Sequence, residues 1–270
     1  MIAREVDPKD LAFSSSNRRL LHAYGEQLCG AYFVRRLEGF IHNLNGPLQI
    51  LWLRSEQLEK EISGFQPDSG AAEEHTAWAR KLGGRLDSFL KAFRQLDDSL
   101  KFITKDGIGR CGNDAESLSV NDVLGDVLFL MKADMFLKHQ VEVNFEPADP
   151  AARIQGRRNQ LCALFLCLIQ NSLEAMVDSP VRRLSIQVNG DHRKVVTRVH
   201  DTGCGIDERY SDRLFELFFT TKSDQRYNGE WVTHKGLGLP LVSALISDYQ
   251  GKIAFESQAG NTVFSVEFPV

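Results

Sequence analysis

The sequence predicts an α+β protein of two domains, a helical hairpin followed by an α/β sandwich. Two long segments in its first half carry apolar residues in heptad steps of three and four. Beyond a glycine-containing stretch the texture changes, and short alternating runs that read as strands are interleaved with strongly apolar helical runs. Length and composition agree: 270 residues, 43% apolar and 25% charged, are enough for two modest cores in an ordinary globular protein.

Residues 1–16 read as a loose or partner-bound start, closed by Ser14 to Asn17, a helix-cap signal. A helix is expected over 18–62, with its seam at Leu37, Ile41, Leu44, Leu48, Leu51, Leu58 and Ile62. The breaker-rich stretch 63–70 turns the chain. A second seam follows at Ala79, Leu82, Leu86, Phe89, Phe93, Leu96, Leu100 and Ile103. Two seamed helices joined by a short turn make an antiparallel hairpin. One hairpin covers only part of such a stripe, so pairing of two hairpins into a four-helix bundle, and hence a homodimer, is expected.

Residues 105–114 read as a linker. After it, helices are expected over 120–137, 158–177 and 237–249, and strands over 141–145, 184–188, 195–199, 253–255 and 262–268. Helices on one face of a mixed sheet would result. The expected division is therefore 1–16 as an N-terminal segment, 17–108 as the helical domain and 115–270 as the α/β domain.

Composition excludes some functions. A net charge of −4 argues against a general nucleic-acid binder, which needs a basic face. No apolar run reaches the length of a membrane span and the first residues lack a signal-peptide pattern, so no membrane insertion and a cytoplasmic location are expected. The five cysteines are odd in number and form no CxxC pair, so they read as reduced thiols without a metal or disulfide role.

Two regions carry chemistry. On the first helix, His42 lies one residue off the seam in HNLNGPL, flanked by Gly39 and Gly46, which leave its imidazole uncrowded. Pro47 cannot donate to the carbonyl of Asn43 and loosens the turn after the histidine. In the second half, Asn171 is a side-chain amide on a helix apolar enough that it needs a polar partner. Asp201 opens DTGCGI directly after a strand, where its carboxylate can accept from an exocyclic amine while Gly203 and Gly205 let backbone approach a ligand. Gly236 and Gly238, in GLGLP, lead into a helix whose N-terminus suits a phosphate. Each motif alone is common in ordinary turns; their order and spacing together are specific.

With these motifs on hand, residues 37–270 resemble a sensor histidine kinase of two-component signalling. In that family a dimerisation and phosphoacceptor hairpin precedes a Bergerat-fold ATP-binding domain of the GHKL type. The matching segments are HNLNGPL, QNSLEAM, DTGCGI, LFELFFTTK, GLGL and the closing NTVFSVEFP. The resemblance implies autophosphorylation of His42 from Mg-ATP, then transfer to an aspartate of a response-regulator receiver domain. It implies that Asn171 ligates Mg²⁺ and that Asp201 reads the adenine amine. Gly203 and Gly205 would shape the base pocket. Gly236 and Gly238 would border the phosphates, and Thr221, Lys222, Leu237 and Thr262 would complete the ATP site. Residues 223–235 would form the lid. With only 36 residues ahead of the hairpin, the input would come through a separate sensor protein or that first helix.

The sequence also departs from the family pattern. Asn43 stands where an acid commonly takes the proton of the histidine, and an amide is no general base at neutral pH. Glu38, four residues before His42 on the same helical face, is the candidate substitute. Gly46 stands where many relatives place a Thr or Asn that positions a dephosphorylating water, so weak phosphatase activity is expected. Cys167 occupies the position of the water-activating Glu of hydrolytic relatives, which disfavours a gyrase-like or MutL-like ATPase. His234 stands two before Gly236, and Asn261 before Thr262, where glycine is frequent. Asn43 and the altered lid keep an alternative open, a nucleotide-binding phosphorelay or signalling scaffold without efficient autophosphorylation. A serine kinase of the anti-sigma type shares the nucleotide fold but leaves the seamed hairpin unexplained.

Overall fold

The computed structural model describes residues 1–6, 13–64, 72–104, 115–132, 134–148, 152–222, 225–227, 230–232 and 234–270. Within these, the side chains of 29, 31–47, 72–75, 95–104, 225–227 and 230–232 lie outside the description. The elements are β1 (Ile2–Val6), α1 (Ser15–Ser63), α2 (Ala72–Thr104), β2 (Glu116–Ser119), α3 (Val120–Met131), α4 (Met135–Gln140), β3 (Glu142–Glu146) and β4 (Arg153–Gly156). They continue with α5 (Arg158–Ala175), β5 (Arg183–Gly190), β6 (Lys194–Asp201), a 3-10 turn (Glu208–Arg213), β7 (Gln225–Tyr227), β8 (Glu230–Val232), α6 (Gly238–Asp248), β9 (Lys252–Gln258) and β10 (Asn261–Pro269).

Two compact units result, Met1–Arg36 with Cys111–Val270 in one and Leu37–Arg110 in the other. The larger is built on a six-stranded sheet ordered β1-β9-β10-β6-β5-β3, antiparallel throughout except for the parallel β3–β5 pair. Its strands alternate as a half-covered sheet should: Leu184, Ile186 and Val188 of β5, Val195 and Val199 of β6, and Phe264, Val266 and Phe268 of β10 are all buried. Over this face lie α5, against β6, and α6, against β9 and β10. Helix α5 is apolar almost all round, and its run from Leu161 to Ile169 is buried because it also packs on α3 and α6. This is the expected α+β arrangement of helices on one face of a mixed sheet.

The start of the chain differs from expectation. Residues 2–6 are no loose segment: β1 pairs antiparallel along β9, from Ile2 opposite Ser257 to Val6 opposite Ile253. Ser14 then caps α1, its Oγ accepting from the Asn17 N–H at 3.2 Å. The first turns of α1 bury Leu21 completely. Arg18 and His22 each reach a different oxygen of Asp248, the last residue of α6, at 2.8 Å. Where the sequence suggested a division at 16/17, the compact units divide at the Arg36/Leu37 junction, and Val6 and Leu21 are buried within the larger one.

One smaller correction has a local cause. The helix expected over 120–137 is two helices, because the buried Asp134 accepts the N–H groups of Phe136 and Leu137 and so starts α4 afresh. Part of the stretch expected as a lid forms a two-stranded antiparallel ribbon, β7 with β8.

In the smaller unit, Trp78 Nε1 donates to the Glu61 carbonyl at 3.3 Å and Arg85 to the Gln57 carbonyl at 2.9 Å. The Glu61 carboxylate bridges Lys81 and Arg85 at 2.7 and 2.9 Å. Partners that run down α1 as they run up α2 define an antiparallel hairpin. Seam residues Leu48, Ile62, Leu86 and Phe93 stay about half exposed in the single chain. The backbone of α1 is helical through Pro47.

Candidate functional site

Asn171 sits on the last turns of α5, and the residues around it come from three separate segments. Lys222 Nζ donates to Asn171 Oδ1 at 3.3 Å and to Glu174 Oε2 at 2.5 Å. Gln170 Nε2 donates to the other Glu174 oxygen at 3.0 Å, and His234 Nε2 stands 3.2 Å from Oε2. Burial pushes the Glu174 carboxyl up, but the Lys222 ammonium, hydrogen bonds from Lys222 and Gln170, and His234 outweigh it and hold it below the ordinary Glu value. Above Asn171 lies the start of α6. A Cβ built on Gly238 would come no nearer than 3.8 Å to Asn171 Nδ2. Leu237 at the N-cap offers its first-turn amides no side-chain acceptor, which leaves the positive end of the helix available to an anion.

Asp201 ends β6 and is 2% exposed. Its Oδ1 accepts the Gly203 N–H at 2.9 Å. Burial pushes its carboxyl above the ordinary Asp value, against the pull of the Gly203 amide, the Ser172 hydroxyl, His200 and Lys222. Ser172 follows Asn171 on α5, so this hydrogen bond ties the two motifs together. Thr262 lies opposite Asp201 in the β10–β6 ladder, with its hydroxyl 2.9 Å from Ser257 Oγ.

The glycines are required by space. A Cβ on Gly203 would sit 2.6 Å from Ala175 Cβ, and Gly205, at φ +81°, would meet the Gln258 backbone at 2.8 Å. Gly236, at φ +62°, would meet the Phe218 carbonyl carbon at 2.5 Å, and its own carbonyl accepts the Phe218 N–H at 2.9 Å. The loop before α6 is thereby latched to the LFELFFTTK segment that delivers Lys222.

Comparison with known proteins meets this geometry. Residues 156–270 match the family described as histidine kinase-, DNA gyrase B-, and HSP90-like ATPases. The sensory histidine kinase/phosphatase NtrB of Azospirillum brasilense is 30% identical over 168 residues, 57% of this chain and 39% of the relative. Sporulation kinase C of Bacillus subtilis is 30% identical over 153 residues, 56% of this chain and 33% of the relative. Residues 156–270, within the α/β unit, thus resemble a histidine kinase-type GHKL ATPase domain. Among solved structures, the catalytic domain of histidine kinase ThkA is similar, with 26% identity, a TM-score of 0.49, and coverage of 58% of this chain and 97% of that one. The matched stretch spans less than half the length of the two curated relatives.

The residues fit the nucleotide that such a GHKL domain binds. The buried Asp201, whose Oδ1 accepts a backbone N–H, suits an adenine amine. The close-packed Gly203 and Gly205 shape a cradle that side chains would fill. Lys222, Leu237 and Gly238 stand where phosphates would meet an ammonium and a helix N-terminus; Thr221 is exposed beside Lys222. Among the described residues no three His, Cys, Asp or Glu side chains gather to hold a metal. Mg²⁺ suits such a site, because it binds through few protein ligands and takes the rest from phosphates and water. Cys167 lies beneath Gly238, its thiol pushed up to about 12 by burial and by Glu174. It offers no base for water. Among the described residues no helix is long and apolar enough to cross a membrane.

The side chains of His42, Asn43 and Glu38 lie outside the described residues, as does that of Gly46's neighbour Pro47. The sequence reading missed Glu174 as an organising group and met His234 only as a departure from glycine. The available signal was the i,i+4 pair Gln170 and Glu174 on an otherwise apolar helix, two more polar side chains that needed partners.

Proposed function

We propose that this chain is an ATP-dependent protein-histidine kinase that phosphorylates itself on His42 and passes the phosphoryl group to an aspartate of a response-regulator receiver domain. The supporting observation is the convergence of Asn171, Lys222 and the uncapped start of α6 in the unit where Asp201 is a buried carboxylate. Asp201 would accept the adenine amine. Lys222 and the amides around Gly236 and Gly238 would face the phosphates, and Asn171 Oδ1 would ligate Mg²⁺. When bound, Mg²⁺ supplies charge neutralisation at the phosphates.

A ring nitrogen of His42 would attack the γ-phosphorus in line, forming a P–N bond as the bond to the ADP oxygen breaks. The imidazole must then lose a proton. Asn43 cannot take it at neutral pH, and Glu38 is the carboxylate assigned that role. With Gly46 in place of a water-positioning side chain, dephosphorylation of the receiver would be weak. The half-exposed Leu48, Ile62, Leu86 and Phe93 support a homodimer that closes a four-helix bundle.

The test is incubation of the purified protein with Mg²⁺ and γ-phosphate-labelled ATP, beside His42→Ala, Asn171→Ala and Glu38→Gln. Acid-labile, alkali-stable label absent from the first two variants and slowed in the third is the expected result. Nucleotide binding without label would move the reading to a phosphorelay or signalling scaffold, an outcome that Asn43 favours. An autophosphorylation rate unchanged in Glu38→Gln would remove Glu38 from the mechanism.

A further inference from the structure

Glu174 is an odd neighbour for a phosphate site. Its carboxylate is 7% exposed, and a negative charge beside incoming phosphates opposes their binding. What it does is gather nitrogen groups that suit a phosphate. Lys222 comes to it from the segment after the 3-10 turn, and His234 from just before the glycine pair. His234 is itself only 9% exposed, at a position where a glycine is frequent in this motif. Its imidazole and the Lys222 ammonium therefore share one carboxylate oxygen, and the ammonium also touches Asn171.

We propose that Lys222 and His234 form a paired phosphate clamp for the nucleotide, with His234 its second donor and Glu174 the positioning residue that holds both. The inference rests on the nucleotide-binding reading and adds to it a phosphate ligand and the group that sets it. Phosphate oxygens compete with the Glu174 carboxylate for the Lys222 ammonium that donates to it and for the His234 imidazole that stands 3.2 Å from it. Glu174 thus aims the clamp and also limits how tightly a polyphosphate is held. Adenosine, which has no phosphate, meets only the base pocket at Asp201.

The experiment is calorimetric titration of the full chain with ATP, ADP and adenosine in Mg²⁺, for the wild type, His234→Gly and Glu174→Gln. His234→Gly restores the common glycine; it should weaken ATP and ADP by about five-fold or more and leave adenosine unchanged. Glu174→Gln keeps an acceptor for Lys222 but removes the charge, so it should tighten ATP and ADP by about three-fold or more with adenosine again unchanged. A residue that only supported the fold would weaken all three ligands together. Should Glu174→Gln fail to fold, His234→Gly and His234→Gln decide the matter. ATP binding unaffected by both His234 variants, or weakened by Glu174→Gln in step with adenosine, overturns the clamp. A wild type that binds none of the three ligands overturns the nucleotide reading as well, so the two failures are distinct.

Discussion

Gly25 of α1 lies so close to Leu241 of α6 that a Cβ at position 25 would stand 3.2 Å from Leu241 Cδ1 and 3.7 Å from the Cβ of Ala163 on α5. The first turns of α1 are thus packed on the two helices that frame the nucleotide site, at the level of Tyr24. Burial, with Cys167 and Glu174 beside it, pushes the Tyr24 hydroxyl up to about 12. A glycine in mid-helix costs ~1 kcal/mol against alanine, so close approach is the reason to have one here. Gly25→Leu should therefore lower stability by about 1–3 kcal/mol through overpacking. Denaturant unfolding would check it, and an unchanged midpoint would mean that α1 does not need this contact.

Leu21 makes the same point from the opposite side. It is fully buried although it belongs to a segment that precedes the hairpin. Leu21→Ala should cost about 2–5 kcal/mol, as for other core leucines. The loss should appear in the unfolding of the α/β unit, read from the near-ultraviolet signal, rather than in a separate transition of the helical unit.

How much of this was legible in the sequence depends on what kind of signal each feature leaves. Asn171 and Asp201 stood out because polar side chains amid apolar runs demand partners, and the paired glycines because tight backbone approach excludes side chains. The heptad seams of α1 and α2 were plain in the chain, and both stretches are helical, with seam residues Leu48, Ile62, Leu86 and Phe93 about half exposed. Strand β1 was not: Ile2 to Val6 joins the sheet through backbone hydrogen bonds to β9, and only Val6 of the five is buried. A ladder partner some 250 residues away leaves no local pattern. The meeting of Lys222 and His234 at Glu174 was equally silent, because it depends on how α5, the LFELFFTTK segment and the glycine loop fold together. The break before α4 rests on one side chain, Asp134, whose role as a cap is clear only once it is seen to be buried.

Asp201 carries a stability cost tied to its role. Its folded-state pKa lies above the 3.8 of an unperturbed Asp. For a raised carboxyl, the associated stability is fully present below the unfolded value and is lost as pH rises through the folded one. Above the folded value the buried carboxylate, once ionised, is therefore a burden. Asp201→Asn removes the charge yet can still accept the Gly203 N–H. It should raise the thermal midpoint near pH 7 by about 2–4 °C while abolishing the further rise that ATP produces in the wild type. A thermal midpoint that falls in the variant would show that the ionised carboxylate is net stabilising.

Thiol reactivity separates the cysteines by the same logic. The Cys167 thiol, pushed up to about 12 by burial and by Glu174, lies under the start of α6, whereas Cys204 is exposed within DTGCGI. Only the thiolate attacks an alkylating reagent, and at pH 8 a thiol with that pKa is ionised in ~1 molecule in 10,000. Desolvation and lack of access act together on Cys167, and lack of access also protects the buried Cys162. Mild alkylation of the native protein followed by peptide mapping should therefore mark Cys204 and spare Cys162 and Cys167, with both modified once the chain is denatured. Modification of Cys167 at a rate near that of Cys204 would mean that the wall between α5 and α6 opens to solvent, and Gly238 could not then be held where the phosphates are proposed to bind.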